Sequence, residues 1–192
     1  MKLIILTVLL TTVFVSCGSN ETSNPTPGET IADSTEKVYF PVQEFLRGEI
    51  SYVDSLPVGI MKYTTIGTRI DSGYIQPPEF RTLAYEFLSG DLEEERFREN
   101  FDETSFYDQG TRYSTFNYTP KTGNTEISRV DVIAAPGLQY DKVNSIYIEK
   151  KVNGQPGEMR KLYWKAGRHF QIIREDSTGM QTVVKVVWNY WD

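Results

Sequence analysis

From Thr111 to the end of the chain, short β-type segments alternate with turn residues, and this constrains the fold more than any other feature. Candidate strands are 111–119, 127–134, 143–152, 159–166, 169–175 and 182–191. Between them stand Pro120-Lys121-Thr122-Gly123-Asn124, Pro136-Gly137, Asn153-Gly154-Gln155-Pro156-Gly157, Ala166-Gly167-Arg168 and Asp176-Ser177-Thr178-Gly179. Connections this short have no room for a crossover helix, so successive strands must be antiparallel neighbours. The pattern predicts one antiparallel sheet built as a meander.

The preceding residues read differently. Pro41 suits a helix start, and Val42, Phe45, Leu46, Ile50 and Val53 then recur at helical spacing until Pro57 stops the run. Gly48 weakens that helix relative to Ala. Residues 58–66 and 68–75 read as two strands around Gly67, and whether they join the main sheet is open at this level. After Pro77-Pro78, the residues Phe80, Leu83, Ala84, Phe87 and Leu88 form a second amphipathic stripe. Asp91 is placed to cap a further short helix reaching about Phe101, with Phe97 and Phe101 towards the core. Helices followed by strands give an α+β class: a meander sheet in the C-terminal half with two to three helices on one face.

Strand alternation assigns the faces. Val130 and Val132, Ile146 and Ile148, Leu162 and Trp164, and Phe170 and Ile172 are the expected core. Arg129 and Asp131, Tyr147, Glu149 and Lys151, Lys161, Tyr163 and Lys165, and His169 and Gln171 are expected on the other side. The last strand is apolar both ways, with Val184, Val186 and Trp188 opposing Val183, Val187 and Trp191. It is expected either to be buried on both faces or to form an interaction edge.

The N terminus has its own logic. After Met1-Lys2, residues 3–15 are apolar or Thr without a charge. Thirteen residues span roughly 20 Å as a helix, short of a bilayer core of about 30 Å, so the stretch fits the apolar region of a signal peptide. Phe14-Val15-Ser16-Cys17 then resembles the lipobox of bacterial lipoproteins, with Phe14 where Leu is usual. The resemblance implies cleavage before Cys17, acylation of Cys17 and a lipid anchor in the membrane. Gly18 is not the Asp that retains such proteins in the inner membrane of some bacteria, which implies the outer membrane. A single acid in Gly18-Ser19-Asn20-Glu21 implies the periplasmic side. Residues 18–37 are rich in Ser, Thr, Asn, Pro, Gly and Glu, a composition that buries nothing and acts as a tether. The expected organisation is a signal peptide over 1–16, a lipidated Cys and tether over 17–37, and one α+β domain over 38–192.

Charge and composition exclude several functions. Residues 18–110 carry 7 basic and 18 acidic side chains, and residues 111–192 carry 12 and 8. The acidic balance argues against nucleic acid as a partner. One Cys permits no intrachain disulfide, and one Cys with one His permits no zinc cluster. No cofactor or metal is called for. The acidic residues Asp91, Glu93, Glu94, Glu95, Glu99, Asp102, Glu103 and Asp108 lack the ligand spacing of a calcium loop and read as a solvated face interleaved with Arg96 and Arg98.

What remains is a surface. The sheet half holds Tyr113, Phe116, Tyr118, Tyr147, Tyr163, Trp164, Trp188, Tyr190 and Trp191. Most are expected in the core, and a minority beside Lys and Arg are suited to a sugar or a partner protein. The candidate partner-binding face is Tyr147, Lys161, Tyr163, Lys165 and His169. The expected function is non-enzymatic, binding an envelope protein, glycan or lipid. The alternatives are a carrier of an apolar ligand and, behind it, a glycan-acting enzyme using paired acids.

Overall fold

A computed structural model describes residues 39–135, 142–152, 158–176 and 178–190. The lipobox, Cys17, the tether and Trp191 lie outside the described residues. Among those described, nine strands make one antiparallel sheet: β1 (Ile60–Ile66), β2 (Arg69–Ile75), β3 (Phe101–Asp108), β4 (Tyr113–Pro120), β5 (Ile127–Ala134), β6 (Val143–Lys151), β7 (Met159–Lys165), β8 (His169–Glu175) and β9 (Gln181–Val187). Three α-helices, α1 (Val42–Ser55), α2 (Pro77–Ala84) and α3 (Glu94–Asn100), accompany it, with 3₁₀ turns at Tyr85–Phe87 and Gly90–Leu92.

This is α+β in the broad sense, but the sheet as a whole is not a simple meander. Its order is β2-β1-β9-β8-β7-β6-β5-β4-β3. Strands β3 to β9 follow chain order, while the early hairpin β1–β2 is added beside β9, the last strand. The sheet therefore extends well beyond the C-terminal half. β9 is an interior strand between β1 and β8 rather than an interaction edge, and the edges are β2 and β3.

Local chemistry explains the elements. α1 begins directly after Pro41, buries Val42, Phe45, Leu46, Ile50 and Val53, and ends at Ser55, with Leu56 extended at its C-cap before Pro57. Gly67 turns β1 into β2 at φ +56°, and Gly167 turns β7 into β8 at φ +68°, a region where a Cβ is penalised. The expected helix from Asp91 to Phe101 is instead a 3₁₀ turn and the short α3. Asp91 does not cap α3: its Oδ2 accepts from the backbone N–H of Glu126 at 2.7 Å, tying that turn to β5. Phe101 is already in β3, a strand that its polar neighbours Asp102, Glu103, Thr104 and Ser105 hide from a hydrophobicity pattern.

The core lies on one face of the sheet. Trp164, Phe170, Ile172, Val186, Ile146 and Val132 are buried, as the alternation predicts. Rings fill the space beneath the helices: Trp164 stacks on Phe170 at 5.2 Å, Phe87 meets Trp164 edge-on at 5.1 Å, and Trp188 lies 5.4 Å from Trp164. A second ring cluster joins Phe97 to Phe101 at 4.8 Å and to Tyr118 at 4.7 Å. Each favourable ring pair adds about 0.5–1.5 kcal/mol beyond its burial, so these clusters clamp the helical layer to the sheet.

Polar ties fix the same layer. Glu49 on α1 accepts from the Trp164 indole N–H at 3.1 Å and from the backbone N–H of Gly167 at 2.7 Å. Glu86 lies between Arg160 and Arg174, which face each other across β7 and β8. Lys62 on β1 pairs with Glu79 on α2, placing the hairpin's inner face against the helices.

Candidate functional site

The opposite face of the sheet carries no helix among the described residues, and the strand registers define what it displays. One row crosses all nine strands: Ser72, Tyr63, Lys185, Gln171, Tyr163, Tyr147, Asp131, Asn117 and Thr104. The row beside it runs Tyr74, Met61, Val187, His169, Lys165 and Ser145. All five candidate residues sit on this face. Tyr147 and Tyr163 are directly opposed, Lys165 opposes His169, and Lys161 opposes Glu149.

Their surroundings separate them. Tyr147 donates its hydroxyl hydrogen bond to Glu149 at 2.5 Å, and burial with this bond to a carboxylate pushes its phenol well above the ordinary range. Lys161 pairs with Glu175 at 3.7 Å. Arg129 pairs with Asp131 at 2.8 Å, and Asn117 donates to the same carboxylate. The β5–β6 part of the face is thus an internally paired acidic patch. The β7–β9 part is different. Among the described residues, Lys165 donates to the neutral Asn144 Oδ1 at 2.7 Å, and no carboxylate pairs with Lys165 or Lys185.

His169 registers that local positive field. Burial, followed by Lys185, Lys165 and Arg168, pushes its imidazole down to about 4. Its ring centre lies 6.0 Å from that of Tyr163. At neutral pH it is an uncharged imidazole among cations. No group of three or more His, Cys, Asp or Glu suited to a metal occurs among the described residues.

Beside His169 the face sinks into an open recess of about 380 Å³. Tyr63, Arg168, His169, Lys185, Asn189 and Tyr190 line it. The chain after β9 builds one wall. The Trp188 and Asn189 N–H groups both donate to the Arg168 carbonyl, at 3.1 and 3.2 Å, and Asn189 Nδ2 reaches the Gly167 carbonyl. This docks the segment on the β7–β8 turn and holds Tyr190 at the recess. Burial raises the Tyr190 phenol, and Tyr63 and Tyr74 add to the shift.

Sequence reasoning placed His169 on this face but missed Tyr63, Lys185, Asn189 and Tyr190 as its neighbours. Lys185 alternates with Val184 and Val186, a visible signal that it faces away from the core. Tyr63 had no such signal, because its position follows from β1 pairing with β9.

Three of the acidic residues singled out in the sequence are engaged locally. Glu94 pairs with Arg98 one helical turn away, at 2.8 Å. Asp108 accepts from Thr111 and Gly110, which hold its carboxyl below the usual range. Asp91 is taken by the β5 backbone. No family model matches this chain, and neither a curated protein nor a solved structure matches it.

Proposed function

We propose that this chain is a lipoprotein anchored in the outer membrane through Cys17, with a non-enzymatic role: its open sheet face binds another component of the cell envelope. One observation carries the binding reading. One face of the sheet is sealed by helices and ring clusters, and the other displays Tyr63, Tyr147, Tyr163, Lys165 and Lys185 and carries no helix among the described residues. The ring clusters occupy the space between helices and sheet where a carrier would hold an apolar ligand, which favours surface binding over carriage. No helix among the described residues is long and apolar enough to cross a membrane. Residues 18–37 have the composition of a tether between the anchor and the domain.

Purification of the lipidated protein from its native membrane in mild detergent, followed by mass spectrometry, tests this reading. A stoichiometric envelope protein, glycan or lipid, lost when Tyr147 and Tyr163 are both replaced by Ala, supports it. Recovery of the bare chain, or a partner indifferent to that change, defeats it. Fatty-acid labelling abolished by Cys17→Ala tests the anchor separately, and labelling that survives the substitution removes it.

A further inference from the structure

We propose that the edge strand β2 pairs antiparallel with β2 of a second copy of this chain, across a two-fold axis at Ser72. This goes beyond the binding reading of the open face and does not rest on it. The backbone argument comes first. Among the described residues β2 pairs with β1 alone, and Arg69 to Tyr74 are all exposed. The two-residue turn Gly67-Thr68 closes on the pair Ile66 and Arg69. A turn of that length ends on a hydrogen-bonded pair, so Arg69, Asp71 and Gly73 direct their N–H and C=O groups towards β1. Ile70, Ser72 and Tyr74 direct theirs away from the sheet. Such an edge is a template for another strand unless charge, Pro or a bulge blocks it. β2 contains no Pro, and its register with β1 runs without a shift from Ile75 to Arg69.

The side chains select a second copy as the occupant. Ile70 and Tyr74 are the most exposed large hydrophobic residues among those described, at 69% and 72%, and both stand on the open face. With the axis at Ser72, Ile70 of each copy lies opposite Tyr74 of the other, and Ser72 lies opposite Ser72. Every outward N–H and C=O of these residues then meets a partner, and the cross-strand contacts are of the β-branched–aromatic kind that stabilises sheets. Asp71 falls opposite Gly73, which brings no side chain of its own. Charge agrees. β2 carries Arg69 and Asp71 and is neutral, while the other edge, β3, carries Asp102, Glu103 and Asp108 with no basic residue, so two copies of β3 repel. A contact of β2 with itself closes after two chains. Opposed residues of an antiparallel pair share a face, so the open faces of the two copies continue one another on one side.

Disulfide crosslinking of the full chain in its native membrane tests this. Opposed residues of a hydrogen-bonded pair lie about 5.5 Å apart at Cα, within the range a disulfide spans. Ser72→Cys should therefore give an oxidised dimer at least tenfold more abundant than Ser105→Cys on the other edge, or than the wild-type chain, whose sole cysteine is Cys17. Adding Ile70→Lys and Tyr74→Lys to Ser72→Cys sets ammonium groups against each other across the axis. The dimer should fall at least tenfold, with the circular dichroism spectrum unchanged because both positions are exposed. Ile70→Glu with Tyr74→Lys sets opposite charges together there and should restore it. These positions stand about 13 Å apart along one strand, so the rescue reads only the contact between copies. Sedimentation of the wild-type chain in mild detergent should give a mass that rises to that of two chains with concentration. A chain that stays monomeric, equal crosslinking at the two edges, or a double-lysine variant that still crosslinks overturns the proposal. Crosslinks between Ser72→Cys of one chain and Ser105→Cys of another would mean head-to-tail growth, and also overturn it.

Discussion

Glu49 and Trp164 are joined across the fold, the carboxylate of the first helix accepting from an indole at the centre of the sheet at 3.1 Å. The same oxygen accepts from Gly167 at the β7–β8 turn. One side chain thus locks a helix, the largest core residue and the turn beneath the recess. Hydrogen bonds to a charged acceptor contribute about 1.5–3 kcal/mol each, and losing both strands a buried indole N–H. Glu49→Ala should destabilise the protein by about 2–4 kcal/mol in urea unfolding. Glu49→Gln, which keeps an acceptor, should lose about half as much.

Tyr118 tests the second ring cluster. Its hydroxyl accepts from the buried Phe40 N–H at 3.1 Å, and burial raises its phenol. Tyr118→Phe keeps the ring against Phe97 but removes the hydroxyl that accepts from the Phe40 N–H, at a cost of about 1–3 kcal/mol. Equilibrium unfolding of the variant measures it, and a loss near zero would mean that water replaces the hydroxyl.

Glu86 is shared by Arg160 and Arg174, with side-chain exposures of 17%, 26% and 32%. Removing the carboxylate leaves two like charges facing each other. Glu86→Ala should therefore cost about 2 kcal/mol, more than an exposed pair is worth. Adding Arg174→Ala should recover part of the loss. A double-mutant cycle measures that coupling, and strict additivity would count against it.

Gly48 is exposed on α1, and a Cβ there meets nothing within 4 Å. Gly48→Ala should stabilise the protein by up to ~1 kcal/mol through helix propensity and a less flexible unfolded chain. A raised urea midpoint with an unchanged slope is the expected signature.

His169 gives a pH dependence of known sign. Its folded value, about 4, lies below the roughly 6.5 of an unperturbed imidazole. The unfolded chain takes up the proton first, so this residue's contribution to stability is intact above about pH 6.5 and is lost as pH falls towards 4. His169→Gln should flatten that part of the stability profile. Lys185→Gln should move the imidazole midpoint upwards in an NMR titration, because one of the charges opposing protonation is gone.

Much of the sheet was legible because its signals are local. Turn residues and alternation located β5 and β8 at their observed bounds, and they set the inward residues of β6 and β7 correctly. β3 was not legible. Asp102, Glu103, Thr104 and Ser105 follow an acidic helix, and only pairing with β4 makes them a strand. The candidate face was legible in part for the same reason. Alternation turned Tyr147, Lys161, Tyr163, Lys165 and His169 outward, but it could not say that Glu175, Asn144 and Glu149 engage three of them.

By itself the sequence determined the strands that follow one another, the stripes of α1 and α2, and which way each strand's side chains point. Each of these depends on neighbours a few residues apart. The tertiary structure decided that β1 pairs with β9, and with it that Tyr63 stands beside Lys185 and that the last strand is interior. It also decided that the segment after β9 folds back onto Arg168 and holds Tyr190 at the recess. These contacts join distant parts of the chain. Their loop-closure entropy is repaid only by the whole sheet and its core, so no local pattern announces them.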